Sequence, residues 1–101
     1  MWLLIDDVRE LNCDITVRTS MEGREALLKY AGVLEHLCLD HDLGENQQTG
    51  YQIACWALEH DLMPPHVQIV SSNPVGRQNI ANALNVYGYT TKDSTNFYRT
   101  K

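Results

Sequence analysis

Leu37-Cys38-Leu39-Asp40-His41-Asp42-Leu43-Gly44 is the stretch whose reading decides the fold. An apolar run climbs to Leu39 and stops in two carboxylates that flank an imidazole, with Gly44 just beyond. Such a run reads as a buried strand with a polar carboxyl end. Packing gives no reason for Asp-His-Asp there. Charges at that point need water, a metal or an opposite charge. Two other runs share the design. Trp2-Leu3-Leu4-Ile5 closes in Asp6-Asp7, and Val67-Gln68-Ile69-Val70 closes in Ser71-Ser72-Asn73-Pro74. In an open α/β sheet the carboxyl ends of the strands border one crevice, and ligands bind there. The three polar tips are therefore expected to converge on one site.

The elements between these runs follow from local signals. Ile15-Thr16-Val17-Arg18 is β-branched and alternating, a second strand. The link from Asp6 to Asp14 is short for a parallel crossover, so the direction of that strand stays open. Thr19 or Ser20 caps a helix over about Met21 to Tyr30, and Thr19 with Glu22 forms a capping-box pattern. Gly32 stops that helix, and Val33 to Leu39 is the third strand. A second helix follows Thr49-Gly50 and ends near His60-Asp61, because Pro64-Pro65 forbids continuation. Pro74 suits the first turn of a third helix over Val75 to Val86, capped by Gly88. The tail, 89–101, is polar; it adds an edge strand at Tyr89-Thr91 or lies on the surface. This order describes one α/β domain over residues 1–101. It is a small three-layer, mostly parallel sheet of flavodoxin-like, doubly wound design. Its first helix and fifth strand are reduced or absent.

Composition narrows the function. A chain of 101 residues holds one core. The net charge is -5 and no run of Lys or Arg exists, which argues against extended nucleic-acid binding. A small phosphorylated ligand remains compatible with that charge. Nothing approaches the length of a membrane span, and the N-terminus lacks the features of a signal peptide. Cys13, Cys38 and Cys55 have no paired spacing, which fits a reducing, cytoplasmic setting. Cys38 and Cys55 read as packed small hydrophobes, and Cys13 as a loop residue near Asp6-Asp7.

Asp6, Asp7, Asp40 and Asp42 would repel one another in a single crevice, and a divalent cation relieves that repulsion. An oxygen-rich set suits Mg²⁺ or Mn²⁺, with Asp6, Asp7 and Asp40 as the expected ligands. His41 shifts the preference toward Mn²⁺ or Zn²⁺, or serves as a general acid or base. The plainer alternative pairs Asp7 with Arg9, lets Asp42 cap its loop and packs His41 on a helix. Ser71, Ser72 and Asn73 lead into a helix N-terminus, a natural anion site, and with Arg77 they form a candidate phosphate cradle. The plainer reading makes Ser72 or Asn73 a cap and leaves Arg77 on a solvated face. His36 and His66 lie at strand starts, away from the site, and read as structural. His60 suits the end of a helix dipole. Trp2 and Trp56 read as core. Tyr87, Tyr89 and Tyr98 are candidates to line a base-binding surface.

Asp6-Asp7, Asp40 and Ser71 at three strand tips resemble the pattern of response-regulator receiver domains. The likeness is closer to one derived group. Leu4-Ile5-Asp6-Asp7-Val8-Arg9, Leu39-Asp40-His41-Asp42-Leu43-Gly44, Thr49-Gly50-Tyr51 and Ser71-Ser72-Asn73-Pro74-Val75-Gly76-Arg77 resemble the cyclic-phosphate processing receiver domains. The resemblance covers residue 2 to about residue 80. It implies a receiver-like fold and action on a small cyclic phosphate of a nucleotide or ADP-ribose-like compound. It would place Asp6, Asp7 and Asp40 at a metal, and His41 and Asp42 near the phosphate, with Asp40, His41 and Asp42 as the catalytic set. Two departures stand out. A phosphoacceptor receiver carries a Lys after a fifth strand, and Lys92 is a poor candidate for it. Many relatives place a His just before the serine that here is Ser71, where this chain has Val70. A metal-dependent phosphoesterase is thus the leading expectation. A non-catalytic nucleotide- or protein-binding module is the second, and a phosphoacceptor switch the third. If the fifth strand is absent, the sheet edge needs cover and the third helix offers a homodimer face.

Overall fold

A computed structural model describes residues 1–99 of the chain. Nine elements follow in order: β1 (Trp2–Ile5), β2 (Ile15–Val17), α1 (Ser20–Lys29), β3 (His36–Leu39), α2 (Gly50–Glu59), β4 (His66–Ile69), α3 (Pro74–Val86), β5 (Tyr89–Thr91) and β6 (Asn96–Arg99). They build one six-stranded sheet in the order β2-β1-β3-β4-β6-β5. β2, β1, β3 and β4 are mutually parallel, which settles the direction of β2. β6 runs antiparallel to both β4 and β5, so the sheet is mixed.

The helices begin where side chains satisfy their first N–H groups. Thr19 accepts from the Glu22 N–H at α1, but the Glu22 carboxylate turns to Arg18 N and the Thr19 hydroxyl, so the reciprocal box is incomplete. The complete capping box is at α2, between Thr49 and Gln52. Asn73 caps α3, with Pro74 at its first position. Gly32 and Gly88 take positive φ just past helix ends, the role expected of both.

All three helices pack on the same side of the sheet. Leu3, Ile5, Leu37, Leu39, Val67, Ile69 and Phe97 alternate onto that face and join Leu27, Ile53, Ala57, Ile80 and Leu84 in one buried cluster. The fold therefore has two layers, not three. The reason lies in the 6–14 link, which is irregular rather than helical and leaves the opposite face with no helix among the described residues. That face carries Trp2, Leu4, His36, Cys38, His66, Gln68, Asn96 and Tyr98, by alternation and register. Trp2 is 45% exposed and is not core; Trp56 is half-buried, with the Arg24 guanidinium 4.3 Å from its ring centre.

The tail is the second correction. The expected reduced or absent fifth strand is present as β5, and β6 inserts between it and β4. Tyr89 and Phe97 are fully buried anchors, and the Tyr89 hydroxyl donates to the Pro64 carbonyl. Since β6 pairs with β4, the open β4 edge that would have called for a homodimer is already covered. No helix is long and apolar enough to cross a membrane.

Candidate active site at the strand tips

The parallel register sets Ile5, Leu39 and Ile69 side by side, so the residues following them emerge at one end of the sheet. Asp6, Asp7 and Asp40 each offer a carboxylate oxygen there, all within 4.8 Å of one another. Asp6 and Asp40 are buried, whereas Asp7 is exposed and faces the mouth. Three hard oxygen donors at one point fit a divalent cation, and the exposed side leaves room for water ligands.

Arg9 supplies the neutralising charge. Its Nη1 lies 2.8 Å from Asp6 Oδ2 and 3.5 Å from Asp40 Oδ2. The partners of Arg9 are thus Asp6 and Asp40, where the plainer sequence reading had expected Asp7. The N–H groups of Val8 and Arg9 also donate to Asp6 Oδ1. Burial alone would raise the Asp6 pKa, but the Arg9 hydrogen bond and these two amides together hold it below the usual carboxylate range. Asp40 goes the other way. Burial and then the charge of Asp6 raise it, and the Ser71 hydroxyl and Arg9 only partly compensate. Two adjacent carboxylates with opposite shifts are a common mark of functional sites.

Two glycines let the backbone close around Asp40-His41. A Cβ on Gly50 would stand 1.9 Å from the Asp40 carbonyl oxygen, where the Gly50 N–H instead donates to the His41 carbonyl. A Cβ on Gly76 would stand 2.3 Å from Cγ of His41. The imidazole thus rests on the first turn of α3, beside the N–H groups of the helix terminus. Its Nδ1 is buried and has no hydrogen-bond partner. An unsatisfied buried group costs about 1–3 kcal/mol unless a water or ligand atom completes it.

Ser71 is buried, and its hydroxyl accepts the Asn73 N–H. Asn73 caps α3 through Oδ1 and reaches Asp42 Oδ2 with its amide, at 3.4 Å. Ser72 and Asp42 are exposed at the rim. Arg77 faces elsewhere: its guanidinium donates to the carbonyls of Ile69, Ser71 and Ser94 and to Thr95 Oγ1. It braces the β5–β6 turn against the end of β4. Lys92 directly follows β5, but β6 separates that strand from β4, and Lys92 lines a cleft with Thr90 and Tyr98. Sequence reasoning missed Gly50 and Gly76 as close-approach positions. The signal was there, since each glycine sits in a helix first turn where Ala costs less.

Parallel strands carrying an acidic cluster, a histidine and a helix N-terminus at one end define a receiver-like α/β domain. The comparison with protein families specifies it. Residues 1–86 match the model of the cyclic-phosphate processing Receiver domain, and the chain belongs to that family. The match stops short of the β5–β6 hairpin. No curated protein and no solved structure matches the chain.

Proposed function

We propose that the strand-tip site is a metal-dependent phosphoesterase centre that hydrolyses a small cyclic phosphate of a nucleotide or ADP-ribose-like compound. The observation that carries this reading is the meeting of three carboxylates with an unpartnered imidazole nitrogen beside a helix N-terminus. Asp6, Asp7 and Asp40 would hold Mg²⁺ or Mn²⁺. A cation there would polarise the phosphate and acidify attacking water. The N–H groups opening α3 receive the phosphate oxygens, with Ser71, Ser72 and Asn73 shaping the cradle. His41 relays the proton as water adds to phosphorus and the ring P–O bond breaks, giving a phosphomonoester and a free hydroxyl. Asp42, tied to Asn73, positions the cap. Arg77 contributes as a brace for the loop.

One observation favours a second reading, a non-catalytic module that binds a nucleotide or a protein. Arg9 pairs with Asp6 and approaches Asp40, and so competes with a cation for two of the three carboxylates. Val70 in place of the relatives' His points the same way.

Phosphorus NMR with excess Mg²⁺ or Mn²⁺ separates the two readings. The substrates are 2′,3′-cyclic and 3′,5′-cyclic nucleotides and ADP-ribose cyclic phosphate, with Asp40→Asn as control. Metal-dependent phosphomonoester that vanishes in the variant supports the esterase. Line broadening without turnover supports the binding module and overturns the esterase.

A further inference from the structure

The helix-free face of the sheet carries a row of four rings. Trp2, His36, His66 and Tyr98 stand opposite one another in register on β1, β3, β4 and β6. Their ring centres are 3.8, 3.8 and 4.3 Å apart, with the last pair stacked. Each ring therefore lies against the next, and the row ends at Tyr98. The position opposite Tyr98 on β5 is Thr90, too small to continue it. What stands there instead is a cleft of about 370 Å³, lined by Thr90, Thr91, Lys92, Asp93, Asn96 and Tyr98. That volume lies within the range of small-ligand pockets. Tyr98 is 52% exposed beside it.

We infer that this cleft binds a mononucleotide, with the base stacked on Tyr98 as the fifth ring of the row and the phosphate at Lys92. Stacking on a ring already fixed by its neighbours costs little ordering on the protein side. His66 holds Tyr98 from behind, and Asn96 Oδ1 fixes His66 through Nε2 at 2.9 Å. Lys92 is the cation in the cleft lining that a phosphate would meet. Lys92 is exposed and makes no ion pair among the described residues. The neighbouring Asp93 is exposed and lines the same cleft, but its carboxylate oxygens accept the N–H groups of Thr95 and Asn96 and the Asn96 side-chain amide. The Thr90 hydroxyl is the polar group next to the base edge. The site is independent of the strand tips, so either proposal stands or falls without the other.

The test is an amide and aromatic NMR titration of the whole chain with AMP, adenosine and ribose 5-phosphate. Saturable shifts at Thr90, Lys92, Asn96 and the Tyr98 ring are expected with AMP, weaker ones with adenosine and none with ribose 5-phosphate. Tyr98→Ala should weaken AMP at least about fivefold while Tyr98→Phe retains it. Lys92→Gln should weaken AMP but leave adenosine unchanged. Absence of saturable shifts at the hairpin overturns the proposal. So do shifts confined to Ser71–Gly76, or AMP binding that survives Tyr98→Ala.

Discussion

The two faces of the sheet use the same strands and alternate residues, yet they are different materials. One face is aliphatic and dry, closed by three helices around Leu3, Leu37, Leu39, Val67 and Ile69. The other carries rings, amides, one thiol and the buried Leu4. There His36 Nε2 meets Gln68 Oε1 at 3.2 Å, and Cys38 Sγ lies 3.5 Å from that nitrogen. Hydrophobic burial holds the first face and needs no geometry beyond close packing. The second face adds directional contacts to the burial of Leu4, His36 and Cys38.

Truncation on the two faces gives the largest expected contrast. Leu37→Ala should cost about 2–5 kcal/mol in urea denaturation. Tyr98→Ala, on a half-exposed ring, should cost under about 1 kcal/mol. Equal losses would mean that the open face is structural and would break the distinction.

The strand tips, where the two faces meet, give a change of opposite sign. Asp40→Asn should stabilise the cation-free protein at neutral pH, because burial and Asp6 disfavour the native carboxylate. The folded Asp40 pKa is raised, so this gain is present above it. It disappears as pH falls through the folded value to the ordinary one and both states protonate. The same variant should lose any rise in melting temperature on adding Mg²⁺. A destabilised variant whose Mg²⁺ response is intact would remove Asp40 from the proposed ligand set.

A smaller effect sharpens the picture of the ring row. Burial, and then the charge of His66, hold His36 below its ordinary pKa. As pH falls through 6.5 the unfolded chain takes up the proton first, so stability should drop from there toward the lower folded pKa. His36→Gln should flatten that slope in melting curves recorded from pH 7.5 to 5. An unchanged slope would place the acid sensitivity elsewhere.

The smallest effect is on reactivity alone. Burial, then Cys13, push the Cys38 thiol up to about 12. Iodoacetamide should label Cys13 and Cys55 well before Cys38 in the native protein, as read by peptide mass spectrometry.

The convergence of the tips was legible because apolar runs ending in acids carry their own direction. Helix starts were legible wherever Thr or Asn stood before a Pro, Gly or apolar run. The two-layer arrangement was not. Leu4 and Cys38 are buried on the open face as fully as Leu3 and Leu37 on the other, so β1 and β3 look sandwiched in the sequence. β6 was hidden for the opposite reason. Phe97 is its one buried residue, and Asn96, Tyr98 and Arg99 read as surface. At the site, the residue types named the chemistry. The partner of Arg9 could not be read, since Asp6 and Asp7 are equivalent until the turn after β1 buries one and exposes the other.

The order of the strands has a consequence for synthesis. β6 lies between β4 and β5 in space but is the last of the three to be made. A chain released only as far as residue 95 would already contain every helix and most of its core, while the outer edge of β4 still had no partner. Such an edge is a template for pairing with another chain. Residues 96–99 therefore seal the β4 edge, and a polypeptide whose synthesis has not yet reached them lacks that protection against association.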